Sequence, residues 1–273
     1  MNINQLKKLA AEKAVEEILP GMIIGLGSGS TFQFALERIS ERIKNGELKN
    51  VIGIPSSSNT EREAIRLKIP IITLNEICLL ENEKRETGNE NRKPVMSAGE
   101  GSESEIQYSA GKNSPFSILN SQFSIDLTID GADEFDDELN LIKGGGGALL
   151  HEKILAQASK RLTIITDESK HSKHLGTKWP VPVEVFKFSL VSEKIFLESL
   201  NSKVELRKNP DGSNYITDEN NFILDADFGE IKNVKELSSK LNDRAGIAGH
   251  GLFIGLADEV ICAMNNGEIE VKR

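Results

Sequence analysis

The strongest constraint on the fold is an alternation. Short apolar runs, each closed by glycine or polar residues, are followed by stretches whose apolar residues recur at helical spacing. Residues 22–26 (Met-Ile-Ile-Gly-Leu) read as a buried strand, and Phe32, Ala35, Leu36, Ile39 and Ile43 mark the helix after it. Residues 51–54 make a second strand before a helix over 60–67, and 69–74 a third strand, interrupted by Pro70. A strand over 125–129, a glycine loop, a helix over 148–159 and a strand over 162–166 continue the series. Ahead of them, Leu6, Leu9, Ala10, Ala14 and Ile18 predict a helix with one buried face. Strands alternating with helices build βαβ units, so the predicted class is α/β with a doubly wound parallel sheet. In such sheets ligands lie beyond the carboxyl ends of the strands.

At 273 residues the chain has room for one large domain or two modest ones. From about 80 to 122 it is rich in Asn, Glu, Ser, Gly and Lys with little periodicity, and reads as an inserted, mobile surface loop. A second shift follows Pro180 and Pro182. A strand over 183–185, a helix over 192–200, two short strands around Asn209-Pro-Asp-Gly212 and a charged helix over 232–241 predict a small α+β unit. Residues 251–256 and 259–263 are predicted to rejoin the first sheet. The expected layout is a main domain of 1–178 plus 248–273 and a smaller α+β domain of 179–247.

Composition narrows the function. The net charge is −9, no basic block stands out, and Trp179 and the two tyrosines form no stacking stripe, so nucleic acid is excluded as a partner. No apolar run reaches the ~18 residues a membrane span needs. Cys78 and Cys262 are too few for a disulfide framework or a zinc cluster and read as buried, inert thiols of a reducing compartment. Glu12, Glu16 and Glu17 argue against a transit peptide, and the expected location is cytoplasmic.

Four segments carry chemistry. In Gly25-Leu-Gly-Ser-Gly-Ser-Thr31, a strand-to-helix turn, free amides and the hydroxyls of Ser28, Ser30 and Thr31 around Gly29 suit one phosphate monoester. The segment has neither the lysine of a P-loop nor the third glycine of a dinucleotide fingerprint. A capped turn without a ligand is the plain alternative. Asp130-Gly131-Ala132-Asp133 closes a strand with two carboxylates able to bind sugar hydroxyls and move their protons; a divalent cation or a simple acidic turn would use the same residues.

Lys143, followed by Gly144, Gly145, Gly146 and Gly147, offers a cation beside a row of main-chain amides, a site for a developing oxyanion. Four glycines in a row are costly to order, and flanking leucines argue against a flexible linker. Glu152, on the following helix, can project back to the loop and pass a carbon-bound proton between adjacent atoms. In Thr166-Asp-Glu-Ser-Lys170, Lys170 reaches a phosphate at the sheet edge or simply opens a solvated helix. His171 and His174 stand three apart, but with no acidic or cysteine partner at ligand spacing they predict no metal site.

Together these segments resemble ribose-5-phosphate isomerases of the A type. The likeness runs through Leu6-Lys-Lys8, the Gly25–Thr31 turn, Ile54-Pro-Ser-Ser-Ser58, Thr128-Ile-Asp-Gly-Ala-Asp-Glu134, Ile142-Lys-Gly-Gly-Gly-Gly147, Glu152-Lys153, Asp167 to Lys170, Pro182-Val-Glu-Val185 and Gly251-Leu-Phe253. It spans nearly the whole chain apart from the insertion. The resemblance implies a Rossmann-like sheet with a smaller inserted α+β domain, assembled as a homodimer or dimer of dimers. It implies reversible conversion of D-ribose 5-phosphate to D-ribulose 5-phosphate, with no metal or cofactor.

By that likeness the phosphate lies near Ser30, Thr31 and Lys170 with Lys7 close by. Asp130 and Asp133 would handle ring opening and hydroxyl contacts. Glu152 would carry the proton from C2 to C1, and Lys143 with the glycine amides would hold the cis-enediolate. Three departures stand out: Ser28 where the family often has Thr, His151 before Glu152 where Arg is common, and the stretch near 80–122, which has no family counterpart. The competing readings are a sugar-phosphate sensor of the same fold, which would not require Glu152 and Lys143, and an acyl-CoA transferase-like enzyme, for which no CoA channel is visible in the sequence.

Overall fold

The computed structural model describes residues 1–77 and 125–273. The predicted insertion, and Cys78 with it, lies outside the described residues. Contacts divide the chain into one unit of Met1–Ile71 with Ile125–Arg273 and another of Ile72–Ser124. In the second unit the described part is 72–77, where Thr73 N donates to Glu76 Oε2 and Glu76 N to Thr73 Oγ1.

The first unit opens with α1 (Ile3–Val15), started by a capping box in which Asn2 and Gln5 satisfy each other's amides. Then come β1 (Ile23–Leu26), α2 (Gly29–Lys44), β2 (Ile52–Pro55) and α3 (Ser58–Arg66). After the second unit follow β3 (Leu127–Gly131), β4 (Glu134–Phe135), β5 (Leu141–Ile142), α4 (Leu149–Gln157) and β6 (Leu162–Asp167). The chain goes on through β7 (Val181–Val185), α5 (Leu190–Ser199), β8 (Lys203–Leu206), β9 (Phe222–Asp227), α6 (Val234–Asn242) and β10 (Ile247–His250). It ends with β11 (Leu252–Phe253), β12 (Glu259–Ala263) and β13 (Ile269–Lys272).

The main sheet has the order β13-β12-β6-β3-β1-β2, parallel except for the β12–β13 pair. Alternation along its central strands sends side chains to two faces. Ile165, Ile261 and Ala263 pack with Leu6, Ala10, Phe32 and Leu36 of α1 and α2, whereas Ile164, Val260 and Cys262 pack with Phe135, Ala156 and Phe253. Both faces are therefore covered, as a parallel sheet requires. From β1 the chain moves outward to β2, then returns to lay β3 on the other side of β1. That reversal opens a crevice between the ends of β1 and β3, the place where such sheets bind ligands. β1 and β3 approach closely because two residues lack side chains: a Cβ on Gly25 would fall 1.9 Å from Thr128 Oγ1, and one on Gly27 2.3 Å from Asp130 Oδ1.

Two further sheets lie in the same unit: an antiparallel one of order β10-β7-β9-β8, and a three-stranded one of order β11-β5-β4. The structure differs from the sequence reading in three places. Residues 69–74 do not form a strand: Pro70 has no amide to donate, and only a parallel bridge pairs Gly53 with Ile71. Residues 251–256 do not rejoin the main sheet, because Gly251 N donates to Pro182 O and Lys143 N to Gly251 O, which steers β11 onto β5. Around the Asn209–Gly212 turn a single bridge joins Lys208 to Asn214, and the strand facing β8 is β9. No helix among the described residues is long and apolar enough to cross a membrane.

Candidate active site

At the β1–β3 crevice lies a cleft open to solvent. Lys7, Ser28, Gly29, Ser30, Thr31, Gly131, Ala132, Asp133, Lys143, Gly144, Gly145, Gly146, Glu152 and Lys170 line it, so residues scattered over 163 positions from 7 to 170 meet in one place. Asp130 is the one nominated residue that does not line the cleft. It is 1% exposed and sits behind Lys143.

The centre is a buried charge cluster. Lys143 Nζ lies 2.9 Å from Asp130 Oδ2 and 3.4 Å from Glu152 Oε2, and it donates to Gly131 O. Burial opposes the Lys143 charge, but the Asp130 and Glu152 carboxylates outweigh it and raise its pKa above the ordinary lysine value. Asp130 is pushed up to about 7, first by burial and then by the Glu152 charge, with Lys143 pulling the other way. Asp133 is also raised by burial, although Gly145 N donates to its Oδ2 at 2.7 Å.

Glu152 enters from the first turn of α4. Ser28 Oγ donates to its Oε1 at 2.6 Å, whereas Oε2 is buried with no hydrogen-bond donor. That free oxygen, 3.4 Å from an ammonium and at the cleft wall, can take up and return a proton.

The far end of the cleft is built for an anion. Ser28 occupies the N-cap of α2 without a side-chain cap bond, which leaves the first-turn amides of Gly29, Ser30 and Thr31 unclaimed by it. Lys7 Nζ from α1 donates to Ser30 Oγ at 2.9 Å. Lys170 ends a short 3-10 turn that Asp167 caps, with its Nζ 5.2 Å from the centroid of the Trp179 ring.

Other sequence candidates fall elsewhere. His171 Nε2 lies 2.8 Å from Asp137 Oδ1 and His174 faces Glu230, so the two rings do not converge. Among the described residues no group of three or more His, Cys, Asp or Glu is arranged to hold a metal ion. Cys262 is buried, and its thiol is pushed up to about 12 by that burial.

Two residues near the site carry no sequence signal, and a third, Glu134, closes the Thr128–Glu134 motif with no role legible from it. Arg207 and Tyr215 bind the carbonyls of the glycine loop. Glu134, wholly buried, accepts from the amides of Gly176, Thr177, Lys178 and Trp179.

Comparison with known proteins points to a single family. A family model described as ribose 5-phosphate isomerase A (phosphoriboisomerase A) matches residues 100–267. The chain is 44% identical over 267 residues to ribose-5-phosphate isomerase A of Desulfatibacillum aliphaticivorans, covering 98% of this chain and 96% of that protein. It is 39% identical to the Chloroflexus aurantiacus protein of that name, over 96% and 90% of the two chains. A solved D-ribose-5-phosphate isomerase in complex with phospho-erythronic acid superposes with a TM-score of 0.81 at 31% identity, over 100% of both chains. The Plasmodium falciparum ribose 5-phosphate isomerase gives 0.77 at 34% identity, over 98% of each.

Proposed function

The chain belongs to the ribose-5-phosphate isomerase A family, and from that premise we propose that its cleft interconverts D-ribose 5-phosphate and D-ribulose 5-phosphate through a cis-enediolate. The observation that carries the reading is the division of labour within one carboxylate: Glu152 Oε1 is held by Ser28, and Oε2 is free beside Lys143.

The phosphate sits on the α2 amides with Ser30, Thr31, Lys7 and Lys170 around it, which places the sugar chain along the cleft toward Glu152. Asp133, at the cleft wall, takes hydroxyl protons during ring opening. Glu152 Oε2 removes the C2 proton. The C–H electron pair becomes the C1–C2 double bond, and the aldehyde pair moves onto O1. The O2 hydroxyl proton passes to O1, Glu152 returns its proton to C1, and O2 becomes the ketone. The negative charge between these steps rests on O1 and O2 and is stabilised by Lys143 Nζ and glycine amides, donors already aimed before the charge forms. Asp130 acts through Lys143, holding the ammonium in place from behind.

In this reading residues 1–178 plus 248–273 form the catalytic domain and 179–247 a smaller α+β domain. The enzyme works in the cytoplasm as a homodimer or dimer of dimers, and light scattering measures the assembly. The chemistry is tested by incubating the protein with D-ribose 5-phosphate in deuterated water. Ketose formation with solvent deuterium at C1 is expected. Undiminished ketose formation by Glu152→Gln would overturn the proton relay, and no ketose at all from the wild type would leave the sugar-phosphate sensor as the better account.

A further inference from the structure

A run of glycines has no side chains to lock its peptide planes, yet those planes decide where each N–H points. One carbonyl is held within the loop, Gly144 O accepting from Gly147 N at 3.0 Å, and the rest of the locking comes from the side of the second sheet. Arg207, just past β8, donates from Nη1 to Gly144 O at 2.7 Å and to Gly145 O at 3.2 Å. Its guanidinium is itself clamped by Asp225 of β9, with Nε donating to Oδ2 at 2.9 Å and Nη2 donating to Oδ1. Tyr215 Oη donates to the next carbonyl, Gly146 O, at 3.1 Å, and its ring lies 5.9 Å from the guanidinium carbon. Three consecutive carbonyls are held, and neither Arg207 nor Tyr215 lines the cleft.

In a trans peptide the carbonyl and the following N–H point in opposite directions, and the described residues contain no cis bond. The Gly144–Gly145 plane shows the consequence: its carbonyl faces Arg207, and its N–H reaches Asp133 Oδ2 in the cleft at 2.7 Å. By the same geometry the Gly145 carbonyl, held on Arg207, turns the Gly146 N–H toward the cleft that Gly146 lines. Among the described residues that N–H donates to no group of the chain.

We propose that Arg207 is a positioning residue for the isomerisation: from outside the cleft it fixes the peptide planes of Gly144, Gly145 and Gly146 so that the Gly146 N–H meets the oxygen of the enediolate. The inference rests on the isomerase reading. Arg207 touches no reacting atom, so its effect is confined to species that carry an oxyanion near C1 and C2. The phosphate end is served by other residues and is unaffected.

The test measures, in the full-length protein, kcat and KM for D-ribose 5-phosphate together with inhibition by inorganic phosphate and by phospho-erythronic acid, whose carboxylate stands in for the enediolate oxygens. Arg207→Gln is expected to lower kcat by roughly 10–100-fold, below the usual loss for deleting an oxyanion donor because the amide is only misaimed. Binding of the acid weakens by a similar factor, while KM and phosphate inhibition stay within about twofold. Arg207→Lys, able to hold one carbonyl, recovers part of the loss. If Arg207→Gln does not fold, Asp225→Asn keeps the guanidinium but loosens its clamp and is expected to show the same split. Unchanged kcat in a folded variant, or equal weakening of phosphate and acid, would overturn the inference. Wild-type protein without turnover would overturn the isomerase reading instead.

Discussion

Ser28 Oγ lies 2.6 Å from Glu152 Oε1, across 124 positions of sequence, although Ser28 stands at the N-cap of α2. An N-cap serine ordinarily accepts from its own helix; here the hydroxyl donates to the proposed proton carrier, and the helix start stays open for an anion. Ser28→Ala therefore separates two effects. The usual loss of about 1 kcal/mol for removing a serine cap should be absent in thermal denaturation, because no cap bond is lost. The kcat should fall about tenfold as Glu152 loses its orienting donor, less than the ~10²–10⁴-fold a positioned acid–base group contributes because the carboxylate itself remains. A variant that melts early but turns over normally would show that the hydroxyl serves the helix and not the carboxylate.

Glu152→Gln keeps the shape and the Oε1 acceptor but cannot move a proton. The expected fall in kcat is ~10²–10⁴-fold, the usual worth of a positioned acid–base group. Inorganic phosphate should inhibit the variant as it does the wild type, since the anion end of the cleft contains no part of Glu152. Titration of both proteins with phosphate against residual turnover checks the separation.

Glu134 gathers four main-chain amides, those of Gly176, Thr177, Lys178 and Trp179, around one buried carboxylate, and so fixes the ring over which Lys170 rests. Glu134→Gln replaces one acceptor oxygen with a donor that faces those amides. The loop loosens, Lys170 loses its seat, and KM should rise several-fold with a smaller change in kcat, as expected for a handle used alike in ground and transition states. Trp179 is the only tryptophan in the chain, so its fluorescence reports the loop directly. An unaltered spectrum and KM would dissociate Glu134 from the phosphate end.

Most of this arrangement is legible from local pattern. β1 and β3 announce themselves as apolar runs closed by residues that then line the cleft, and β6 as one followed by the turn that carries Lys170, because a parallel strand buried on both faces must be apolar and must end where its ligand-facing loop begins. The two-residue strands β4 and β5 are not legible, since two residues carry no periodicity, and β11 is legible within 251–256 as a strand but not in its partner. Asp130 and Asp133 look equivalent in the motif, and only the placement of Lys143 shows that one faces the cleft while the other is its buried counter-charge. Arg207 and Tyr215 read as surface residues beside a turn. What brings them to the glycine loop is the pairing of β8 with β9 and β9 with β7, a tertiary fact with no local trace.

The last expectation concerns pH and a pair behind the site. His250 is buried, with Nε2 3.0 Å from Asn242 Oδ1 and Nδ1 accepting from Leu252 N, which fixes the neutral ring with its proton on Nε2. Lys153 Nζ lies 3.4 Å from Nδ1, donates to His250 O and sits 5.0 Å from the Phe253 ring centroid. Burial, and secondarily the Lys153 charge, lowers His250 to about 3, and burial lowers Lys153 to about 7. Each group binds its proton less tightly folded than unfolded. The His250 contribution to stability is thus fully present above its ordinary value of 6.5 and is lost as pH falls from there toward 3, by up to about 1.4 kcal/mol per pH unit. For Lys153 the same loss runs from 10.5 down toward 7. Denaturant titrations should therefore show an acid limb that is shallower between pH 6 and 3 in His250→Gln, and a flatter profile from about pH 10 to 7 in Lys153→Met. Parallel profiles for wild type and both variants would mean that the two groups titrate as if exposed, contrary to their burial.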